Sequence, residues 1–444
     1  MNRPAHPRPP LHRALLAGAL ALASAAHAQS ADPAALARQA LDLMDAGDYA
    51  KVEALFTPRM AEAVPANKLK AVWESLPAQV GKATGRGDAT IAAQGEAAVV
   101  QVPLHFEKAE LVAKFAIDAD GRITGFLVQP TQTAPAPDPA VAADAPFTER
   151  ELAIGDGARA LPATLAMPKG AGPFPAVVLV HGSGAHDRDE TIGPNKPFLD
   201  LARGLAAQGI AVLRYEKRTK AHPEEFAGGD FGVDDETTFD GVLAVDALRK
   251  TDGIDPKRVF VLGHSQGGMM APRIAALSGH VTGLVLLAAP ARPLLDIVIE
   301  QNRRMAVLDD GKISDAERAA INTLIAQVRQ TRDPATPAAT RTVMGQPAGY
   351  WRSIDSVDAV AEAQRVALPM LVLQGGRDIQ VVDADWQAWR EAFDGDPKVA
   401  FKLYPALNHL GIPGDGEGSL AEYAKPGHVD PKLIDDVAAW VRAH

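Results

Sequence analysis

The chain has 444 residues, 47% hydrophobic and 23% charged, an ordinary globular composition with room for two or three domains. Its formal charge is −10 and no basic cluster follows the first residues, so no nucleic-acid partner is expected. The absence of cysteine excludes a disulfide framework, a thiolate metal site and a cysteine nucleophile.

The first 28 residues read as a secretory signal peptide. Arg3, Arg8 and Arg13 supply a positive segment, Ala14–Ala25 a short apolar run, and Ala26-His27-Ala28 an A-x-A cleavage pattern. The mature chain is expected to start near Gln29 in a periplasmic or secreted setting. The apolar run is too short to span a bilayer, so no stable membrane span is expected after cleavage. Asp32-Pro33 then signals a helix start, and Leu36, Ala40, Leu43 and Met44 form a stripe ending at Gly47. Further helices are predicted over Tyr49–Phe56 and Lys68–Leu76.

The pattern next switches to period two. Val100, Val102 and Leu104, then Leu111, Ala113, Phe115 and Ile117, alternate as strands do. Asp118–Gly121 is a turn signal before a strand over Ile123–Val128. Helices followed by an antiparallel sheet define a small α+β domain over 29–129. His105 and Glu107 are polar residues at a strand end. Residues 130–146, rich in proline and alanine, read as a linker.

From residue 147 to the end, strands and helices alternate, which predicts a mostly parallel sheet covered on both faces. Phe147–Ile154 and Ala158–Met167 read as an antiparallel edge pair. Ala176–Val180, Val259–Leu262 and Met370–Leu373 read as buried strands, and Ile210–Tyr215, Leu284–Leu287 and Val399–Tyr404 as further strands. Helices are predicted over Lys196–Gln208, Asp234–Arg249 and Pro431–Arg442. Residues 290–366 break this rhythm with predicted helices over Leu294–Leu308 and Ser314–Arg332. An insertion at that point lies over the carboxyl ends of the strands, where ligands bind in open α/β sheets, and reads as a lid.

Between strand Val259–Leu262 and the helix beginning at Met269 stands Gly263-His264-Ser265-Gln266-Gly267. This is a G-x-S-x-G sequence in strand–turn–helix context. A serine at such a turn projects its hydroxyl above the sheet, and glycines two residues either side let the backbones pass without Cβ clashes. The Gln266 N–H, at the helix start, points where an oxyanion would form.

A serine hydroxyl needs a base, and the base an orienting acid. Asp378 follows one buried strand in Gln374-Gly-Gly-Arg-Asp378, and His409 follows the last strand in Asn408-His-Leu410. Asp383 and Asp385 begin a helix and read as caps. His428 reads as a rim residue, and His264 as packing. The loop His181-Gly-Ser-Gly184 offers the second oxyanion donor, the Ser183 N–H first and Gly184 second. His181 braces that loop and is grouped with Tyr350 and Trp351 as a candidate substrate-side residue. Asp187–Glu190 reads either as solvated charge or as an ion pair holding the loop.

These motifs carry a resemblance. From Pro175 to His444 the sequence resembles the α/β-hydrolase superfamily, in its secreted-esterase, dienelactone-hydrolase-like or prolyl-oligopeptidase-like branch. The carrying residues are His181–Glu190, Gly263–Gly267, Gly375–Asp378 and Asn408–Leu410. The resemblance implies Ser265 as nucleophile, His409 as general base and Asp378 as its orienter. It implies no metal and no organic cofactor. Residues 29–129 resemble the nuclear-transport-factor-2-like cone found ahead of such hydrolases, a packing or substrate-shaping module. A hydrolase of small to medium acyl esters is the first expectation, with a small-molecule ester as partner. A serine peptidase or amidase using Glu300, Arg303, Arg304 or Asp309 under the lid is the second. A non-catalytic binding protein built on the cone is the third.

Overall fold

The computed structural model describes residues 32–94, 97–107, 109–130 and 138–444. The leader and most of the first half of the linker lie outside the described residues. Contacts divide the chain into two units, one up to residue 132 and one from residue 133 onward.

The first unit opens with four helices, α1 (Pro33–Asp45), α2 (Tyr49–Glu53), α3 (Pro58–Ala63) and α4 (Ala66–Val80). Asp32 caps α1 through the Ala34 N–H at 3.0 Å, as its position before Pro33 predicts. Five antiparallel strands follow: β1 (Ala83–Arg86), β2 (Thr90–Gln94), β3 (Ala97–Phe106), β4 (Glu110–Ile117) and β5 (Ile123–Pro130). Val100, Val102, Leu104, Leu111, Ala113, Phe115 and Ile117 all face one core that α1 covers with Leu41 and Met44. Helix α3 and strands β1 and β2 are too short and weakly patterned to stand out in the sequence. His105 sits at the end of β3 and pairs with Glu110.

The second unit is built on an eight-stranded sheet. In chain order it runs β6 (Phe147–Ile154), β7 (Leu161–Pro168), β8 (Phe174–Val180), α5 (Pro197–Ala206), β9 (Ala211–Tyr215), the single turn α6 (Arg218–Ala221), α7 (Phe239–Arg249), β10 (Ile254–His264), α8 (Gln266–Ser278) and β11 (Gly283–Leu287). The insertion then supplies α9 (Leu294–Asp310), α10 (Asp315–Arg332), α11 (Ala348–Asp355) and α12 (Ala359–Val366). Strand β12 (Met370–Gly375), α13 (Asp383–Ala392), β13 (Val399–Tyr404) and α14 (Pro431–Ala443) complete it. Sheet order is β13-β12-β11-β10-β8-β9-β7-β6, parallel from β13 to β9, with β7 and β6 antiparallel at one edge.

Successive strand residues face opposite sides, and both sides are apolar, which is why the strands read as continuous hydrophobic runs. Val178, Val261, Leu284 and Val372 pack toward α7, α8 and α12, while Val177, Phe260, Val285 and Leu371 pack toward α5 and α14. Each fully buried aliphatic side chain of this kind contributes about 1.5–3 kcal/mol.

Two segments depart from the sequence expectations. Helix α12 falls inside the range assigned to the lid, yet Ala359 and Ala363 belong to the main core and Glu362 meets Arg273 of α8 at 3.1 Å. It packs on α8 as part of the scaffold, and the cap proper is α9–α11. Residues Asp234–Thr238, expected as ordinary helix, form a π-helical turn leading into α7. Among the described residues no helix is long and apolar enough to cross a membrane.

Candidate active site

Strands β8, β9, β10, β12 and β13 are parallel, so the loops after them converge on one edge of the sheet. Ser265 lies between β10 and α8 at φ 51° and ψ −120°, a strained conformation for a side chain with a Cβ. Its N–H donates to the Leu287 carbonyl at 2.9 Å, which fixes the turn from the neighbouring strand. The flanking glycines are required by close approach. A Cβ on Gly263 would fall 2.2 Å from the Gly267 carbonyl oxygen, and one on Gly267 would fall 2.1 Å from that of Val180.

Asp378 and His409 are both buried. His409 Nδ1 donates to Asp378 Oδ2 at 2.8 Å, which leaves Nε2 as the basic nitrogen. The acid is itself held: Oδ1 accepts the N–H groups of Gln380 (2.8 Å) and Val381 (3.0 Å), and Oδ2 the Gln374 amide (3.2 Å). Asn408 Oδ1 accepts the Leu410 and Ile412 N–H groups at 3.0 and 3.1 Å, shaping the loop that carries His409. Arg377 braces the acid loop through the Gly416 carbonyl at 2.7 Å and through Glu422.

Ser265, Ser183, Gly184, Tyr350 and Trp351 line one cavity of about 650 Å³ under the cap. Gln266 is the first residue of α8, so its N–H has no carbonyl within the helix to bond. Tyr350 and Trp351 lie on α11, and the Trp351 indole is fixed by the Val343 carbonyl at 2.7 Å.

His181 is corrected by the structure: it is not among the residues lining this cavity. Its ring is buried against Phe198 and Tyr215, with centroids at 5.0 and 5.2 Å. Burial pulls its pKa from the ordinary 6.5 down to about 3. The folded ring therefore stays neutral where the unfolded ring takes up a proton, so stability falls as pH drops from about 6.5 toward 3. His181→Phe is expected to flatten this loss, read as a smaller drop in Tm between about pH 7.5 and about pH 4.5.

The acidic run after that loop holds it in place. Asp189 pairs with Arg214, and Arg188 with Glu216 at 3.0 Å. Glu190 accepts the Gly182 N–H at 2.6 Å and meets His264 Nδ1 at 2.9 Å. Burial opposes charge on Glu190, but the His264 ring beside it outweighs this and holds the carboxyl below the ordinary range. His264 donates through Nε2 to the His409 carbonyl at 2.9 Å, so it links two site loops as well as packing.

Asp385 is also corrected. Val382 occupies the helix N-cap, and Asp385 instead accepts the Ala291 and Arg292 N–H groups at 3.0 and 3.2 Å and the Arg292 guanidinium at 2.7 Å. It fixes the entrance to the cap. Glu300, considered for substrate recognition, pairs with the same Arg292 at 2.6 Å. His428 is an exposed rim residue against Asp200 at 3.0 Å.

A serine on a strained strand–helix turn and a buried His–Asp pair, both in loops at the carboxyl ends of one mostly parallel sheet, define a class. The chain belongs to the α/β-hydrolase family, whose pattern residues 177–419 match. It is similar to esterase EstD of Thermotoga maritima, at 37% identity over 374 residues, 84% of this chain and 86% of that protein. Residues 37–126 match a family described as a protein of unknown function, DUF3887. Among solved structures, Est1E from Butyrivibrio proteoclasticus is similar at a TM-score of 0.43 and 17% identity, covering 66% of this chain and 99% of that one. A puromycin-hydrolyzing peptidase of Mycobacterium tuberculosis gives a TM-score of 0.43 at 17% identity over 80% of this chain and 46% of that one.

Proposed function

We propose that the protein hydrolyses carboxylic esters of small to medium acyl chain through an acyl-enzyme on Ser265. The observation that carries this reading is the buried His409–Asp378 pair at 2.8 Å on the same sheet edge as the strained Ser265 turn. Ser265 Oγ attacks the acyl carbon, and His409 Nε2 takes its proton and delivers it to the leaving alcohol. Water, deprotonated by the same nitrogen, then releases the acid. The N–H groups of Gln266 and Ser183 receive the oxyanion. A cavity of about 650 Å³, walled by Tyr350 and Trp351, suits a modest apolar acyl or alcohol group. The similarity to an esterase over most of both chains supports ester over amide chemistry.

The test is turnover of a panel of p-nitrophenyl acyl esters against matched aminoacyl-anilides, with fluorophosphonate labelling beside it. Short and medium esters are expected to lead. Faster cleavage of the anilides overturns the ester reading in favour of a peptidase, and activity rising steadily on long-chain emulsions overturns the size reading. Export with a mature start near Gln29 is part of the proposal, supported by the Ala26-His27-Ala28 pattern, and N-terminal sequencing of the exported protein checks it.

A further inference from the structure

We infer that Lys217 and Glu236 are positioning residues for the oxyanion hole, setting the direction of the Ser183 N–H and tying it to the cap; this rests on the hydrolase reading above. Lys217 follows β9 and is buried, with its ammonium 2.7 Å from the Gly182 carbonyl oxygen and 3.0 Å from Glu236 Oε1. The Gly182 carbonyl and the Ser183 N–H belong to one planar peptide unit, and in a trans peptide they point in opposite directions. Fixing the carbonyl on Lys217 therefore aims the N–H away from it. An ammonium on the carbonyl also draws density from the amide and strengthens that N–H as a donor.

Gly182 is held from its other side as well. Its N–H donates to Glu190, so buried charges of opposite sign grip both of its backbone groups. The loop stands beside the nucleophile, since a Cβ on Gly182 would lie 3.3 Å from that of Ser265. A donor fixed in this way needs no reorganisation when the oxyanion forms.

Glu236 gathers the remaining parts. The π-helical turn at Asp234–Thr238 turns it inward, and it lines the cavity that holds Ser265. Oε2 accepts the Gln266 side-chain amide at 2.9 Å and the Tyr350 hydroxyl at 2.8 Å, while Oε1 meets Lys217. One carboxylate thus joins the elbow residue carrying one oxyanion donor, the lysine aiming the other, and the cap. Apolar residues would fill the same space without the cost of burying two charges, so packing alone does not account for the pair.

The test uses the full chain with p-nitrophenyl esters and a fluorophosphonate. Lys217→Met is expected to lower kcat about 10- to 100-fold while KM moves by less than about threefold, and to slow labelling of Ser265 by a similar factor. Rates are referred to the fraction of sites that label, so partial misfolding does not imitate the effect. The single variant leaves Glu236 buried without its cation, so Lys217→Met/Glu236→Gln is measured beside it. Low kcat persisting in the double variant, with Tm near wild type, supports the inference. Wild-type kcat per labelled site in either variant overturns it, because the pair then serves packing only. A wild type that neither labels nor turns over any ester defeats the hydrolase reading instead.

Discussion

Ser265→Ala is expected to abolish fluorophosphonate labelling and to reduce kcat on p-nitrophenyl esters by about 10⁶-fold, with a residual rate above the uncatalysed one. The oxygen removed is the atom proposed to form the acyl bond. That residual rate is expected from the proposed oxyanion donors, since Ser183 and the α8 start remain in place around a smaller side chain. Folding is expected to hold, because the Ser265 backbone bond to Leu287 and the close passage of Gly263 and Gly267 do not use the hydroxyl. Unchanged labelling in the variant places the nucleophile elsewhere. A residual rate within about tenfold of wild type does the same.

Asp378→Asn is expected to lower kcat by about 10⁴-fold with little change in KM or Tm. The argument lies in how the carboxylate is shared. Oδ1 accepts two backbone N–H groups, from Gln380 and Val381, and the asparagine oxygen keeps those bonds. The new amide NH₂ then faces His409 Nδ1 and offers a donor where the histidine needs an acceptor. The ring answers by placing its proton on Nε2, which removes the base from the side that serves Ser265. The two backbone bonds to Oδ1 survive, the Gln374 amide loses its acceptor on Oδ2, and the chemistry is lost. Progress curves with one ester, together with thermal melts of both proteins, check this, and a kcat within tenfold of wild type removes Asp378 from the orienting role.

Much of the site was legible because its sequence signals are local. Gly263 and Gly267 are spaced as backbone contact demands, Asp378 follows a buried apolar strand, and His409 follows the partly buried edge strand β13. The cap's second helix was equally open, with Ser314 and Glu317 forming a reciprocal capping box. What stayed hidden depends on distance in the chain. Lys217 and Glu236 are ordinary surface-type residues by composition, and only the fold brings β9 and the turn before α7 together. The π-helical turn leaves no periodic mark, since one extra residue in a helix looks like a helix. Asp385 resembles a cap in sequence because it stands in a first turn, yet its partners Ala291 and Arg292 lie far upstream. Helix α12 shares the pattern of the insertion around it, so its place against α8 could not be read from period alone.

The anchoring of the insertion bears on how such a protein is re-tailored. Asp385 grips its entrance at Ala291 and Arg292, and the Trp389 indole holds the Ala289 carbonyl at 2.9 Å. At the exit, Arg273 of α8 grips Glu362 of α12. Both posts belong to the scaffold, and neither is part of α9–α11. Residues 294–355 are thereby held from the scaffold at both ends, and a different roof between the same posts is expected to change what fits beneath it and, through the Tyr350–Glu236 bond, to reach the oxyanion side of the site. Through its one carboxylate at Glu236, the scaffold also leaves a socket for whatever hydroxyl the new roof presents where Tyr350 now stands.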